Sequence, residues 1–353
     1  MLKHKNILSR KEKAAFAYFQ ILDHFLGREK GFKLTEKKRR KVYQNLYAKL
    51  KSSGEGKVLK IDRVKNISLR EFKEKYQKPG IPVIFDGLAK DWKCVKDWNL
   101  DYFINLHGDD KILVVDQEKI ILGDNYKTTT LREVLENIKK GESDYYRFYP
   151  LLNRHPEHIK DFDYKWLIKH RNKPAFYENF QAFIGGDQTK SVIHNAAASN
   201  IFVQVHGVKE WRLYPIDYSI VIDPYPIKNI YRSAPYKTEE GPFDPFNPNY
   251  ENPYSLYKYI DSYEAVLNPG DVLWNPPYWW HTIVNHGETI GVGYRWVNPF
   301  HYIKMSPLFA FLDLFATSPP IWKAYKIGHK NFHLMQLLEN NKLDDYLKNY
   351  ESQ

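Results

Sequence analysis

In the first fifty positions apolar residues recur at three- and four-residue steps, the period of a helix with one buried face. Ala15, Phe16, Phe19, Leu22 and Leu26 form one such row. Ser9 and Glu12 stand at capping-box spacing in front of it, and Gly27 suits its C-terminal cap. A second row, Val42, Leu46 and Leu50, predicts a helix from Thr35 to about Leu50, with "KKRRK" on its other faces. The pair reads as a helical arm over residues 1–55. At "SSGEGKVLKIDRV" the period changes to the alternation of a strand. Ser68 and Glu71 form another capping box, and "IPVIFDGL" after it reads as a buried strand. Thr130 and Glu133 repeat the device, so helices and strands alternate to about residue 150.

From residue 180 the pattern is mostly β. "NFQAFIGG", "NIFVQVHG", "KEWRLYP", "AVLNPGDVLWNPP" and "ETIGVGYRWV" are short runs punctuated by Gly, Pro and Asn. Such a succession predicts a sandwich or barrel. Between these runs lies a long connection rich in Pro, Asn and Tyr, read either as a lid or as an insertion packed on its own tyrosines. Residues 301–353 return to helix. "SPLFAFLDLFATSPPIW" is nearly continuous in apolar residues and needs a cover: the domain itself, a second copy in a homodimer, or a lipid interface.

Charge narrows the picture. The chain carries +11 overall, but residues 1–60 hold seventeen Lys and Arg against five Asp and Glu, and the remainder is close to neutral. The excess belongs to the arm, where it suits a solvated helical surface, an anionic membrane or an acidic partner. No nucleic-acid motif accompanies it, so nucleic acid is not favoured. The single cysteine, Cys94, excludes an internal disulfide and reads as a small buried residue. No stretch reaches the ~20 apolar residues of a membrane span, and no secretory pattern opens the chain, which predicts a cytoplasmic protein, membrane-peripheral if the arm meets lipid.

Two of the thirteen histidines stand out. His194 precedes the strand "NIFVQVHG", and His281 follows "NPGDVLWNPPYWW". A barrel that sets these strands side by side would aim both imidazoles inward, as in a two-histidine metal site. Trp279 and Trp280 read as packing, and His206 as structural or exposed.

"NPGDVLWNPPYWWHTIVN" and "NIFVQVHGVKEWRLYP" resemble the signature stretches of the JmjC-like cupin family. These are iron(II)- and 2-oxoglutarate-dependent oxygenases related to the asparaginyl hydroxylase that acts on hypoxia-inducible factor. "FDPFNPNYENPY" resembles the family's lid, and "KPGIPVIFDGLAKDWKCVKDW" its entry strand and helix. The resemblance covers roughly residues 56–300. It implies a mostly β fold, a double-stranded β-helix (jelly-roll, cupin) core, with N- and C-terminal helical extensions; residues 301–353 would then serve dimerisation or packing.

The family holds Fe(II) by a His-x-Asp/Glu pair and a distal His. The matching residues here are His194, Ala196 and His281, so the acid is missing. By resemblance, Lys209 would pair with the far carboxylate of 2-oxoglutarate, Ser191 would lie near that carboxylate, Asn200 near the iron, and Tyr145 or Tyr146 against the co-substrate. Gly293 stands where the hydroxylase has an asparagine. Lys209 could instead project from a strand end into solvent beside Glu210. Ala196 leaves four readings: a halogenase-like enzyme with chloride in the vacant place, an oxygenase with water or another ligand there, a binding protein without turnover, or an Asp deliberately changed to Ala. The substrate class stays open among a small molecule, a peptide and a lipid head group.

Overall fold

The computed structural model describes residues 4, 8–115, 126–142, 145–149, 151–225, 231–235, 241–317 and 334–350. Helix α1 (Arg10–Leu26) opens with the Ser9–Glu12 capping box and ends at Gly27, whose φ of 85° favours glycine. Helix α2 (Arg28–Ser52) begins seven residues before Thr35. Gly31 lies inside it because a Cβ there would meet Asp23 Oδ1 at 2.3 Å, so glycine permits the close approach of the two helices. Arg39, expected on a solvated face, is buried, with Nη2 on Asp23 and Nε on Thr35 Oγ1. Phe16, Leu46 and Leu50 pack in one core with Tyr218, Tyr257 and Phe309, so the helices lie on the body of the molecule.

Among the described residues the body is an eleven-stranded sheet. It begins with β1 (Val58–Lys60), β2 (Asp62–Val64) and the fully buried β3 (Val83–Phe85). β4 (Lys111–Val115) and β5 (Tyr126–Thr130) form a separate hairpin. β6 (Tyr145–Tyr149), β7 (Phe176–Gly185), β8 (His194–Ala196), β9 (Ser199–Tyr214), β10 (Tyr231–Ser233), β11 (Ser262–Leu267), β12 (Val272–Asn275) and β13 (Trp280–Val297) complete the main sheet. The core is therefore mostly β with helices flanking it.

β9 and β13 run antiparallel over most of their length, and the sheet is organised around them. Their register breaks between His286 and Ile290, where Gly207 (φ 66°) faces Glu288; a Cβ on Gly207 would lie 1.9 Å from the Glu288 carbonyl oxygen. Beyond this corner β9 leaves β11 for β12, and β13 takes β7 as its other neighbour. Each long strand thus serves both layers, and side chains alternate between a barrel interior and a helix-covered exterior. The interior holds Phe202, Trp211, Leu213, Leu273, Trp279 and Ile283. Val203, Val292, Tyr294 and Trp296 face the core shared with the helices.

Parts of the long connection return to this core: Phe243, Tyr254 and Tyr257 are buried with Tyr214 and Trp280. The helix Pro307–Leu314 starts at the cap Ser306 with Pro307 in its first turn; it buries Phe309 and Leu312 and exposes Phe311 and Leu314. Among the described residues no helix is long and apolar enough to cross a membrane.

Candidate active site

His194 on β8 pairs directly with His281 on β13, and the two ring centroids lie 4.3 Å apart. His281 is buried; His194 is half-buried. Nδ1 of His194 is 2.7 Å from the Val192 carbonyl, and Nδ1 of His281 is 2.9 Å from the Trp279 carbonyl. A carbonyl only accepts, so in both rings Nδ1 carries the proton and Nε2 the lone pair that a metal needs. Burial pushes the His281 pKa well below its ordinary 6.5, and His194 and Arg295 push the same way, so the ring is neutral. Trp211 stacks on it at 5.4 Å.

The turn before β13 holds the two strands together. Tyr278 adopts a left-handed backbone (φ 61°), its N–H donates to the Ala196 carbonyl at 2.8 Å, and its own carbonyl accepts from Asn195 Nδ2 at 3.2 Å. Its hydroxyl reaches Asp313, which also takes the buried Arg232 of β10. The short β8 is thereby fixed from two sides. Asn195 spends its amide on this turn, and Ala196, two residues from His194, shares the histidine's face of the strand. Among the described residues no His, Cys, Asp or Glu completes a three-ligand group with His194 and His281.

Lys209 is only 1% exposed, which removes the solvent-facing reading. Its Nζ donates to Asn285 Oδ1, and Asn285 Nδ2 donates to Thr189 Oγ1 at 2.7 Å. Ser191 is half-buried; its Oγ accepts from the Ile283 N–H at 3.2 Å. Asn200 is buried with Oδ1 lacking a protein partner, and a Cβ on Gly293 would lie 2.9 Å from that oxygen. Glycine at 293 therefore makes room for Asn200. Tyr146 is buried in the helix-side core, where burial raises its pKa, while Tyr145 pairs through its backbone with Gly185. Trp279 and Trp280 are packing residues, with indole N–H groups on the Gly80 carbonyl and Ser219 Oγ. Cys94 is buried and its thiol pKa raised by that burial.

Three residues near this site lie within the quoted stretches without being singled out by them. Asn285 holds Lys209, Trp211 braces His281, and Arg295, buried on β13 opposite Asn200, adds a positive charge. Only the cross-strand register reveals them.

A family model described as a cupin-like domain matches residues 69–302. Lysine-specific demethylase 8 of Xenopus tropicalis is 24% identical over 242 residues, covering 65% of this chain and 51% of that protein. Lysine-specific demethylase JMJ30 of Arabidopsis thaliana is 24% identical over 250 residues, 68% of this chain and 55% of its own. The bifunctional arginine demethylase and lysyl-hydroxylase psr-1 of Caenorhabditis briggsae is 23% identical over 265 residues, 66% and 60%. The chain thus spans between 51% and 60% of the length of these relatives.

Proposed function

The chain belongs to the cupin-like domain family, and from that premise we propose that it is an iron(II)- and 2-oxoglutarate-dependent oxygenase acting through His194 and His281. The observation that carries this reading is the pair of facing imidazoles whose Nδ1 protons are committed to carbonyls, which reserves both Nε2 atoms for a metal. The donor set fits iron: two neutral nitrogens, with the other positions open to a chelating 2-oxo acid. Iron(II) with 2-oxoglutarate and oxygen supplies, when bound, the oxidant for a substrate C–H bond.

The chain's own residues bind and orient. Lys209 is a buried cation that donates to the Asn285 amide oxygen, and the far carboxylate of 2-oxoglutarate is the anionic group that the family resemblance sets against it. Ser191 and Tyr145 are assigned to the co-substrate, since Tyr146 faces the helix-side core, and Asn200, with its unpartnered oxygen, to the metal's surroundings. The stacked Trp211 and the apolar barrel wall exclude water around His281. Ala196 leaves open the place an acid would take; with water there the bound metal would supply hydroxylation chemistry, and with a halide it would supply halogen transfer.

The relatives' names point to lysine and arginine side chains. Arg295 argues for a different choice here. It is buried on β13 opposite Asn200 with Nη1 on Gln181 Oε1, so a neutral or anionic substrate group is favoured over a cationic one. Anaerobic titration of iron(II) and 2-oxoglutarate into the metal-free protein tests the core of this reading. A visible charge-transfer band that is lost in His281→Ala supports it, and no band at high protein concentration overturns it.

A further inference from the structure

Outside the barrel, three histidines meet where the helix Leu100–His107 ends against the segment "RHPEHIKD", residues 154–161. His107 and His155 stack with ring centroids 3.5 Å apart, and His107 Nε2 lies 2.7 Å from His158 Nε2. Two imidazole nitrogens at that distance share one proton, and the flanking carboxylates decide where it sits. His158 Nδ1 faces Asp161 Oδ2 at 3.2 Å, so it carries a proton and leaves Nε2 as an acceptor. His107 therefore donates from Nε2, and its lone pair is on Nδ1. His155 Nε2 faces Asp110 Oδ2 at 2.9 Å, which places its proton there and its lone pair on Nδ1, 3.8 Å from Glu157 Oε1.

The result is a lone pair on each of two stacked imidazoles with a carboxylate beside His155, each imidazole backed by a hydrogen bond that leads to an acid. One ligand atom from each of His107, His155 and Glu157 lies within 4.8 Å of the others. We propose that His107, His155 and Glu157 form a second metal site, for a divalent cation of the zinc class, separate from the barrel. Neutral imidazole nitrogen with carboxylate oxygen is the ligand mixture such cations take, and the acid-backed histidine is their usual support. Glu157 is exposed and gives the ion an entry path. Ligand atoms around zinc lie roughly 3.3–3.5 Å apart for bonds near 2.1 Å, so binding draws the three groups together and tilts the stacked rings apart.

The test uses the full chain with the barrel silenced by His194→Ala and His281→Ala. After dialysis against excess zinc chloride, metal analysis is expected to return one zinc per chain. In the same background Glu157→Gln, at an exposed position that leaves folding intact, is expected to weaken zinc binding about tenfold or more, and Asp110→Asn about 10- to 100-fold. Cobalt(II) in place of zinc should give a d–d absorption that Glu157→Gln alters. Zinc absent from the barrel-silenced chain, with its folding verified by circular dichroism, overturns the proposal. So does zinc retained with equal affinity by Glu157→Gln.

Discussion

Replacing Lys209 by Met separates a ligand-binding role from a structural one. Lys209 is 1% exposed and bonds to Asn285 Oδ1, so the substitution removes an ammonium already taken out of water. Two opposing effects follow for the metal-free protein. Relief of ammonium burial is worth several kcal/mol, and the orphaned Asn285 oxygen costs about 1–3 kcal/mol. The melting temperature should therefore hold or rise slightly. For 2-oxoglutarate the sign is unopposed. Truncating one partner of a buried, hydrogen-bonded charge pair costs roughly 2–5 kcal/mol, or about 30-fold to several thousand-fold in Kd. Calorimetric titration of 2-oxoglutarate into the manganese-loaded protein reads that loss, and a thermal melt of the metal-free protein reads the other. An affinity within about threefold of wild type would refute the assignment, because that is less than 1 kcal/mol. A collapse of the melting temperature would instead make Lys209 a structural residue.

Four further outcomes are expected. Ala196→Asp puts a carboxylate at a buried position beside His194; metal-free melts should fall, and added cobalt(II) should restore more stability than it gives wild type. Gly207→Ala should cost at least ~2 kcal/mol in urea unfolding, since φ is 66° and the new Cβ meets the Glu288 carbonyl. Asp23→Ala strands the buried Arg39 guanidinium and should cost about 3–5 kcal/mol by the same assay. His170, buried and stacked on Trp166, has its pKa pushed by burial from 6.5 to about 4. The unfolded chain takes up that proton first, so stability is lost as pH falls from about 6.5 to 4, by up to about 1.4 kcal/mol per pH unit. His170→Gln should flatten urea-midpoint profiles across that window.

What was legible in the chain was local. Ser9–Glu12, Ser68–Glu71 and Thr130 cap helices as their spacing predicts, and "IPVIF" is a buried strand. The facing pair of His194 and His281 followed from strand edges together with family resemblance. What stayed hidden depends on long-range register. Lys209 meets Asn285 across 76 residues, and His107 meets His158 across 51. The early start of α2 was hidden differently: Gly31 argues locally against helix, and only its packing on Asp23 explains it. Arg39 looked solvated for the same reason, its acid being on the neighbouring helix.

The two barrel histidines differ in how firmly the chain holds them. His281 sits on an eighteen-residue strand, whereas His194 sits on one of three, secured by β10, a single pairing with β13 and the Tyr278 turn. Local opening begins where few bonds must break, so β8 should detach long before the sheet unfolds. A bound metal would then leave by losing His194 first. Its residence time should follow the opening rate of this one segment, and amide exchange at residues 194–196 should report the same rate.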